Sequence, residues 1–152
     1  MTGQTEARLA ELGIVLPEPA KAAANYAPFV ISGTTIYIAG QLPMADGKVA
    51  VTGKVGADVT LENAQDAARL CALNILAQAK AAADDDLDRV RCVKLGGFVN
   101  ATPDFVDHPQ VLNGASNLIG EVLGERGLHA RFAAGAGSLP FDASVEIDAV
   151  FE

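Results

Sequence analysis

Hydrophobic and polar residues recur along this chain with two different periods, and these periods predict strands and helices in a definite order. Residues 28–31 and 34–39 are rich in β-branched and aromatic side chains, and Ser32-Gly33 between them is a tight-turn signal, so together they predict a β-hairpin. Residues 44–59 contain three glycines and predict a long loop, which either folds on itself or covers a site.

Two amphipathic helices and three further strands follow in the pattern. Apolar residues recur at helical spacing from Thr60, a good N-cap, to about residue 83, and again from residue 111 to the glycines at 124–127. One strand is predicted at residues 89–100, where Gly96-Gly97 indicates a bulge or a close backbone approach. The other two strands, at residues 129–136 and 144–151, are predicted to pair with each other.

The predicted order is therefore β-β-α-β-α-β-β after an N-terminal arm. Two helices and at least five strands favour an α+β fold, in which both helices pack on one face of a mixed sheet. We divide the chain into an arm at residues 1–24, which holds a short helix at 5–12 and a proline-containing linker, and one domain at residues 25–152. Some strands are apolar on both sides, so the second face needs a cover, which a homo-oligomer would supply.

Composition and charge exclude several classes of function. Half of the 152 residues are hydrophobic and the formal net charge is -8. This acidity, without any basic run, argues against a nucleic-acid partner held through its phosphates. Residues 1–5 lack the features of a secretory signal and no apolar run is long enough to span a membrane, so we expect a cytoplasmic protein. Cys71 and Cys92 show no zinc-type spacing and are expected to be buried free thiols.

The candidate chemistry centres on one arginine and one glutamate in the last two strands. Small apolar residues surround Arg131 and leave room for a ligand, and a guanidinium matches the two oxygens of a carboxylate. His129 precedes Arg131 by two residues and can point to the same side of the strand, while Glu146 lies inside the following strand. The alternative interpretation is a solvated surface arginine, with a solvated Glu146 and a structural histidine. No nucleotide-binding loop and no metal-ligand spacing is present in the sequence.

Several motifs together resemble the Rid family, which is also called the YjgF family. They are Ala39-Gly40-Gln41-Leu42-Pro43, Asn113-Gly114, Ala130-Arg131, and Leu139-Pro140 followed by Val145-Glu146-Ile147. The spacing from Arg131 to Glu146 is the most specific part, and the resemblance runs from about residue 26 to residue 151. It implies a chorismate-mutase-like fold, which matches the predicted order, and a homotrimer with ligand sites in the clefts between subunits.

The resemblance also implies a chemistry and a set of site residues. Archetypal members hydrolyse reactive enamines and imines, such as 2-aminoacrylate, to 2-keto acids and ammonia, without metal or organic cofactor. By position, Arg131 corresponds to the arginine that holds the substrate carboxylate, and Glu146 to the acidic residue that orients or activates water. The remaining cleft positions, expected to bind substrate, are Phe29, Ala39, Gly40, Asn113 and Ala133.

Departures from the family pattern make the expected cleft more apolar. Phe29 stands in place of a tyrosine, Ala39 in place of a serine or threonine, and Ala133 in place of a cysteine. These replacements indicate a divergent subgroup that keeps the arginine. Three functions stay open: a 2-iminobutanoate/2-iminopropanoate deaminase-like hydrolase, a non-catalytic trimer that binds small carboxylates such as 2-keto acids, and an endoribonuclease or translation inhibitor. The acidic charge argues against the last of these.

Overall fold

The order of helices and strands confirms the predicted β-β-α-β-α-β-β arrangement. The computed structural model describes residues 3–152, so the first two residues of the predicted arm lie outside the described residues. The helices are α1 (Gln4–Glu11), α2 (Leu61–Ala82) and α3 (His108–Leu123), and the strands are β1 (Phe29–Ser32), β2 (Thr35–Gln41), β3 (Met44–Ala45), β4 (Lys48–Val49), β5 (Cys92–Asn100), β6 (Ala130–Ala136) and β7 (Val145–Phe151). None of these helices combines the length and the apolar character that crossing a bilayer requires.

Five strands form one mixed sheet in the order β1-β2-β7-β5-β6. Neighbouring strands are antiparallel except β5 and β6, which run parallel. The prediction of a β6–β7 pair is wrong, because β5 lies between these two strands. The physical reason is the crossover through α3: a strand, helix and strand in succession place the second strand parallel to the first and beside it.

The core lies between the sheet and two helices, α2 and α3, that pack on one of its faces and against each other. As predicted, α2 begins after Thr60, whose hydroxyl accepts a hydrogen bond from the backbone N–H of Asn63 at 3.1 Å. At Gly114, α3 approaches α2 so closely that a Cβ atom would overlap the main-chain oxygen of Gln65. A glycine is therefore required at this crossing of the two helices.

Both cysteines are buried and free, which confirms the prediction. Burial raises the pKa of the Cys92 thiol to about 12 and also raises the pKa of Cys71. Both thiols therefore stay protonated and unreactive near neutral pH, as expected for cysteines that serve as small core residues.

The segment predicted as a loop contains a small hairpin of β3 and β4. Its turn is Asp46-Gly47, with φ angles of 53 and 79. Positive φ at both central residues is the mark of a type I′ turn, which an Asp-Gly pair favours even between very short strands. The prediction of a long loop without strands is therefore wrong at these residues, although the hairpin does line a cavity. The buried side-chain amide of Asn74 on α2 donates to the Met44 carbonyl at 3.2 Å and fixes the hairpin in place.

The N-terminal arm packs against the domain. The Asp88 carboxylate accepts hydrogen bonds from the backbone N–H groups of Gln4 and Thr5 at 2.8 and 2.9 Å, and from the Thr5 hydroxyl at 2.6 Å. It thereby caps α1 from a distant part of the chain, and the Thr5 hydroxyl bond holds the pKa of Asp88 below its usual value. Further along, the buried Gln78 amide donates to the Ala20 carbonyl at 2.7 Å. This contact anchors the end of the arm beside the end of β2.

Candidate functional site

Arg131 lies near the start of β6, and three hydrogen bonds to α3 hold its guanidinium in place. Its Nη1 donates to Asn113 Oδ1 and to Ser116 Oγ, each at 3.0 Å, and its Nη2 donates to the Pro109 carbonyl at 3.2 Å. A guanidinium has five N–H donors. Within residues 3–152, therefore, the Nε donor and one Nη2 donor have no partner, and these two are free to bind an anion.

Ser116 connects Arg131 to His129. The Ser116 Oγ lies 2.8 Å from His129 Nε2, and His129 Nδ1 lies 2.6 Å from the carbonyl oxygen of Gly127. A carbonyl only accepts, so Nδ1 carries a proton, and in the neutral ring Nε2 then accepts from the Ser116 hydroxyl. Arg131, Ser116 and His129 border a groove of about 610 Å³ at this edge of the sheet.

Glu146 projects from the opposite face of the sheet. It alternates in β7 with the buried residues Val145 and Ile147, whose side chains enter the core. Gly40 lies directly against it, since a Cβ atom at that position would overlap the Glu146 carboxylate. The pairing of β2 with β7 is irregular here, as is usual where a glycine permits a close approach. Burial raises the pKa of the Glu146 carboxyl, and the charge of Asp148 raises it further.

A cavity of about 800 Å³ opens beside Glu146. Its walls come from the end of the arm, the end of β2, the β3–β4 hairpin and the segment before β7. The lining includes Ala24, Tyr26, Ala39, Gly40, Leu42 and Phe141. The size lies in the range of small-molecule sites, which are mostly apolar with a few placed polar groups. Glu146 is the one carboxylate among the described residues that line this cavity.

Phe141 is an unexpected component of this cavity. Its φ angle is 57 and the next residue, Asp142, has a φ angle of 56. A side chain other than glycine pays about 1–2 kcal/mol for the left-handed conformation, so this turn is strained. The side chain of Phe141 is nevertheless 69% exposed. This turn places the aromatic ring of Phe141 at the wall of the cavity.

The structure gathers the predicted site residues into two separate groups. Asn113 contacts Arg131 on the face of the sheet on which α3 packs. Ala39 and Gly40 share the cavity with Glu146 on the open face. Since Arg131 and Glu146 project from opposite faces, a single chain does not bring them together.

Two of the predicted substrate-binding residues turn toward the interior. Phe29 pairs with Ile38 and Ala133 pairs with Gly97, and both side chains are partly buried against the core. Pattern reasoning did not single out Tyr26 or Phe141, because both lie in segments without periodicity. Within the described residues, no group of three or more His, Cys, Asp or Glu side chains is arranged to hold a metal ion.

Most of the chain matches the model of a known protein family. The model of the family described as "YjgF/chorismate mutase-like, putative endoribonuclease" matches residues 6–150. The chain therefore belongs to this family, which confirms the resemblance seen in the sequence. Membership supports a role in the processing of small molecules.

Similar proteins come from several organisms. Protein TCP17 of Trypanosoma cruzi is 48% identical over 153 residues, covering 99% of this chain and 95% of that protein. The crystal structure of Atu1372 from Agrobacterium tumefaciens, of unknown function, is 60% identical with a TM-score of 0.90, covering 97% of this chain and 92% of that one. A Shewanella oneidensis structure with the same endoribonuclease description is 35% identical with a TM-score of 0.94, covering 99% of both chains.

Proposed function

We propose that this protein is a hydrolytic deaminase of reactive enamines and imines that carry a carboxylate, with 2-aminoacrylate as the model substrate. The observation that carries the proposal is the guanidinium of Arg131, which three hydrogen bonds orient while two donors stay free. A carboxylate bound there fixes the neighbouring imine carbon in one position. Such positioning converts a loose encounter into a reactive geometry.

Glu146 is proposed as the group that activates water. The enamine first takes up a proton from solvent at its terminal carbon and becomes the iminium, and water then adds to the iminium carbon. Glu146 accepts a proton from this water and returns it to the nitrogen. The C–N bond then breaks, ammonia leaves, and the remaining hydroxyl loses its proton to solvent as the carbonyl forms. Burial and Asp148 raise the pKa of Glu146, and a raised pKa brings a carboxylate closer to the range that suits acid–base work at neutral pH.

The complete site is proposed to form between copies of the chain in a homotrimer. Arg131 and Glu146 leave opposite faces of one sheet, so Glu146 from a neighbouring copy must supply the second group. The open face of the sheet supports such an assembly, because it exposes Tyr37, Phe98 and Phe132 by 52%, 43% and 40%. The rings of Phe98 and Phe132 pack edge to face, with their centroids 5.5 Å apart. An exposed aromatic patch of this kind is typical of a surface that a partner covers.

Arg131→Ala is expected to lower kcat/KM for 2-aminoacrylate by about 100-fold or more, because loss of two charge-assisted hydrogen bonds removes about 3 kcal/mol or more. The measurement is the release of ammonia and 2-keto acid from freshly generated substrate. Arg89→Ala serves as the matched control, since Arg89 forms an exposed ion pair with Asp84 and such pairs contribute little. A wild-type rate no faster than the spontaneous reaction would contradict the deaminase.

Mixed trimers of two inactive variants are expected to regain activity. A chain with Arg131→Ala still offers Glu146, and a chain with Glu146→Gln still offers Arg131. In a closed ring of three that holds both variants, one of the three clefts is complete. Co-expression with two different tags and purification by both tags yields the mixed assembly, and its turnover should reach about a third of the wild-type rate. Verified mixed trimers that stay inactive would show that the two residues do not share a cleft.

A carboxylate-binding protein without turnover is the second candidate. It is favoured by the inward position of Phe29, which carries no hydroxyl group and packs against the core. This candidate predicts that pyruvate binds to the wild type, that Arg131→Ala abolishes the binding, and that no ammonia is released from 2-aminoacrylate. The endoribonuclease description of relatives is checked in the same series, since RNA cleavage that persists in Arg131→Ala is not chemistry of this site.

A further inference from the structure

We propose that Ser116 and His129 are positioning residues for Arg131, which hold its guanidinium ready for an incoming carboxylate. This inference rests on the proposed role of Arg131 in the deaminase. Three consecutive contacts carry it: Arg131 Nη1 to Ser116 Oγ at 3.0 Å, Ser116 Oγ to His129 Nε2 at 2.8 Å, and His129 Nδ1 to the Gly127 carbonyl at 2.6 Å. The chain of contacts runs from the anion-binding group to the backbone of the turn after α3.

The Gly127 carbonyl determines which atom donates in each hydrogen bond between His129, Ser116 and Arg131. Gly127 is buried, and a Cβ atom there would overlap the main-chain oxygen of Ile119, so this turn is fixed tightly against α3. Its carbonyl accepts a hydrogen bond from the Nδ1–H group of His129, which leaves Nε2 of the neutral ring as an acceptor. The Ser116 hydroxyl must then donate to His129, and its oxygen can only accept from Arg131. A hydroxyl that donates in this way is a stronger acceptor in turn.

Arg131 needs this support because of where it lies. β6 is an outer strand of the sheet, and the groove beside Arg131 leaves the side chain room to move. Its bonds to Asn113 and to the Pro109 carbonyl are both exposed, so water competes for them, whereas the bond to Ser116 is partly buried. Immobilising a long side chain on ligand binding costs rotamer entropy. A guanidinium that is already held avoids much of this loss when the ligand arrives.

Four variants of the assembled protein test the proposal: Ser116→Ala, Ser116→Thr, His129→Phe, and the double variant Ser116→Ala/His129→Phe. The probe is pyruvate, whose affinity is measured by calorimetry, and Ser32→Ala in the first hairpin is the control serine. Ser116→Ala and His129→Phe are each expected to weaken pyruvate binding by about tenfold, because a guanidinium that is not held beforehand must lose its rotamer freedom when pyruvate binds. The double variant should be no weaker than either single one, because both remove the same connection. Ser116→Thr keeps the hydroxyl and should bind like the wild type.

Two further readouts separate positioning from a general structural role. In the ligand-free wild type, NMR should show the Nη1–H groups of Arg131, which Asn113 and Ser116 hold, as ordered signals, and Ser116→Ala should broaden or remove them while the thermal midpoint changes little. With 2-aminoacrylate, the variants should raise KM and leave kcat within about twofold, since uniform binding is what they lose.

Unchanged pyruvate affinity in Ser116→Ala, no rescue by Ser116→Thr, or multiplicative losses in the double variant would each overturn the proposal. A wild type that binds no pyruvate would overturn it as well, because Arg131 would then hold no carboxylate. If the wild type binds pyruvate but releases no ammonia, the deaminase fails alone, and the affinities still decide the role of Ser116 and His129.

Discussion

Gly114→Ala is expected to destabilise the fold by about 2 kcal/mol or more, because α2 and α3 cannot move apart without opening the core. The new Cβ atom would overlap the main-chain oxygen of Gln65, and backbone cannot rotate away as a side chain can. Overpacking typically costs about 1–3 kcal/mol and more against rigid backbone, while the better helix propensity of alanine returns about 1 kcal/mol. Denaturant unfolding should show the loss as a lower midpoint, and the melting temperature should fall by about 4–8 °C.

Gly120→Ala is the matched control on the same helix. A Cβ atom at Gly120 would meet nothing within 4 Å, so only the gain in helix propensity remains. We expect the free energy of unfolding to rise by about 0.5–1 kcal/mol. If the two substitutions moved stability in the same direction by similar amounts, helix propensity rather than the close approach of α2 and α3 would govern position 114.

Glu146→Gln is expected to lower kcat for 2-aminoacrylate by about 100-fold or more, the usual contribution of a positioned general base. Glutamine keeps the shape of the side chain but does not accept the water proton. In the wild type, turnover should rise with pH as Glu146 loses its proton, and this rise should lie above the range of an ordinary glutamate, because burial and Asp148 raise its pKa. Rate profiles over pH check both statements.

Asp148→Asn is the matched variant on the same strand. It removes the negative charge that adds to the raised pKa of Glu146, so the rise in turnover should move to lower pH. Residual turnover in Glu146→Gln that keeps the wild-type pH profile would contradict the assignment of Glu146 as the base.

The raised pKa of Glu146 predicts that its contribution to the stability of the fold falls as the pH rises. A carboxyl group with a raised pKa binds its proton more tightly in the folded chain than in the unfolded one. Its contribution to stability is present below the unfolded pKa and is lost as pH rises through the folded pKa. Glu146→Gln should therefore leave the protein as stable as the wild type or more stable at neutral pH, so that its loss of turnover is not a loss of folding.

Local sequence patterns predicted the long helices and the five strands of the main sheet, but they missed the small β3–β4 hairpin and did not predict which strands are neighbours in the sheet. The span of α2 followed from Thr60 and the apolar spacing after it, because capping and periodicity are properties of consecutive residues. The separation of β6 from β7 did not follow from any local pattern, because strand order depends on which pairing is most stable for the whole chain. The crossover through α3 decides that order, and no single segment records it.

The faces of the two site residues illustrate the same limit. Glu146 lies between Val145 and Ile147, and this alternation alone predicts that it points away from the core. Arg131 lies between Ala130 and Phe132, so both of its neighbours are apolar and alternation says nothing about its side. Tyr26 and Phe141 reach the cavity from segments without periodicity, through contacts that exist only in the folded chain.

The position of Arg131 and Glu146 on opposite faces of one sheet gives assembly a further role under the proposed arrangement. Each copy then carries two half-sites and no complete site, so a correctly folded monomer has no catalytic activity. Active clefts would appear only when copies meet, which makes turnover follow protein concentration by mass action. Dilution would then abolish activity by dissociating the trimer without unfolding any chain. A newly made chain would become active only after it assembles with other copies.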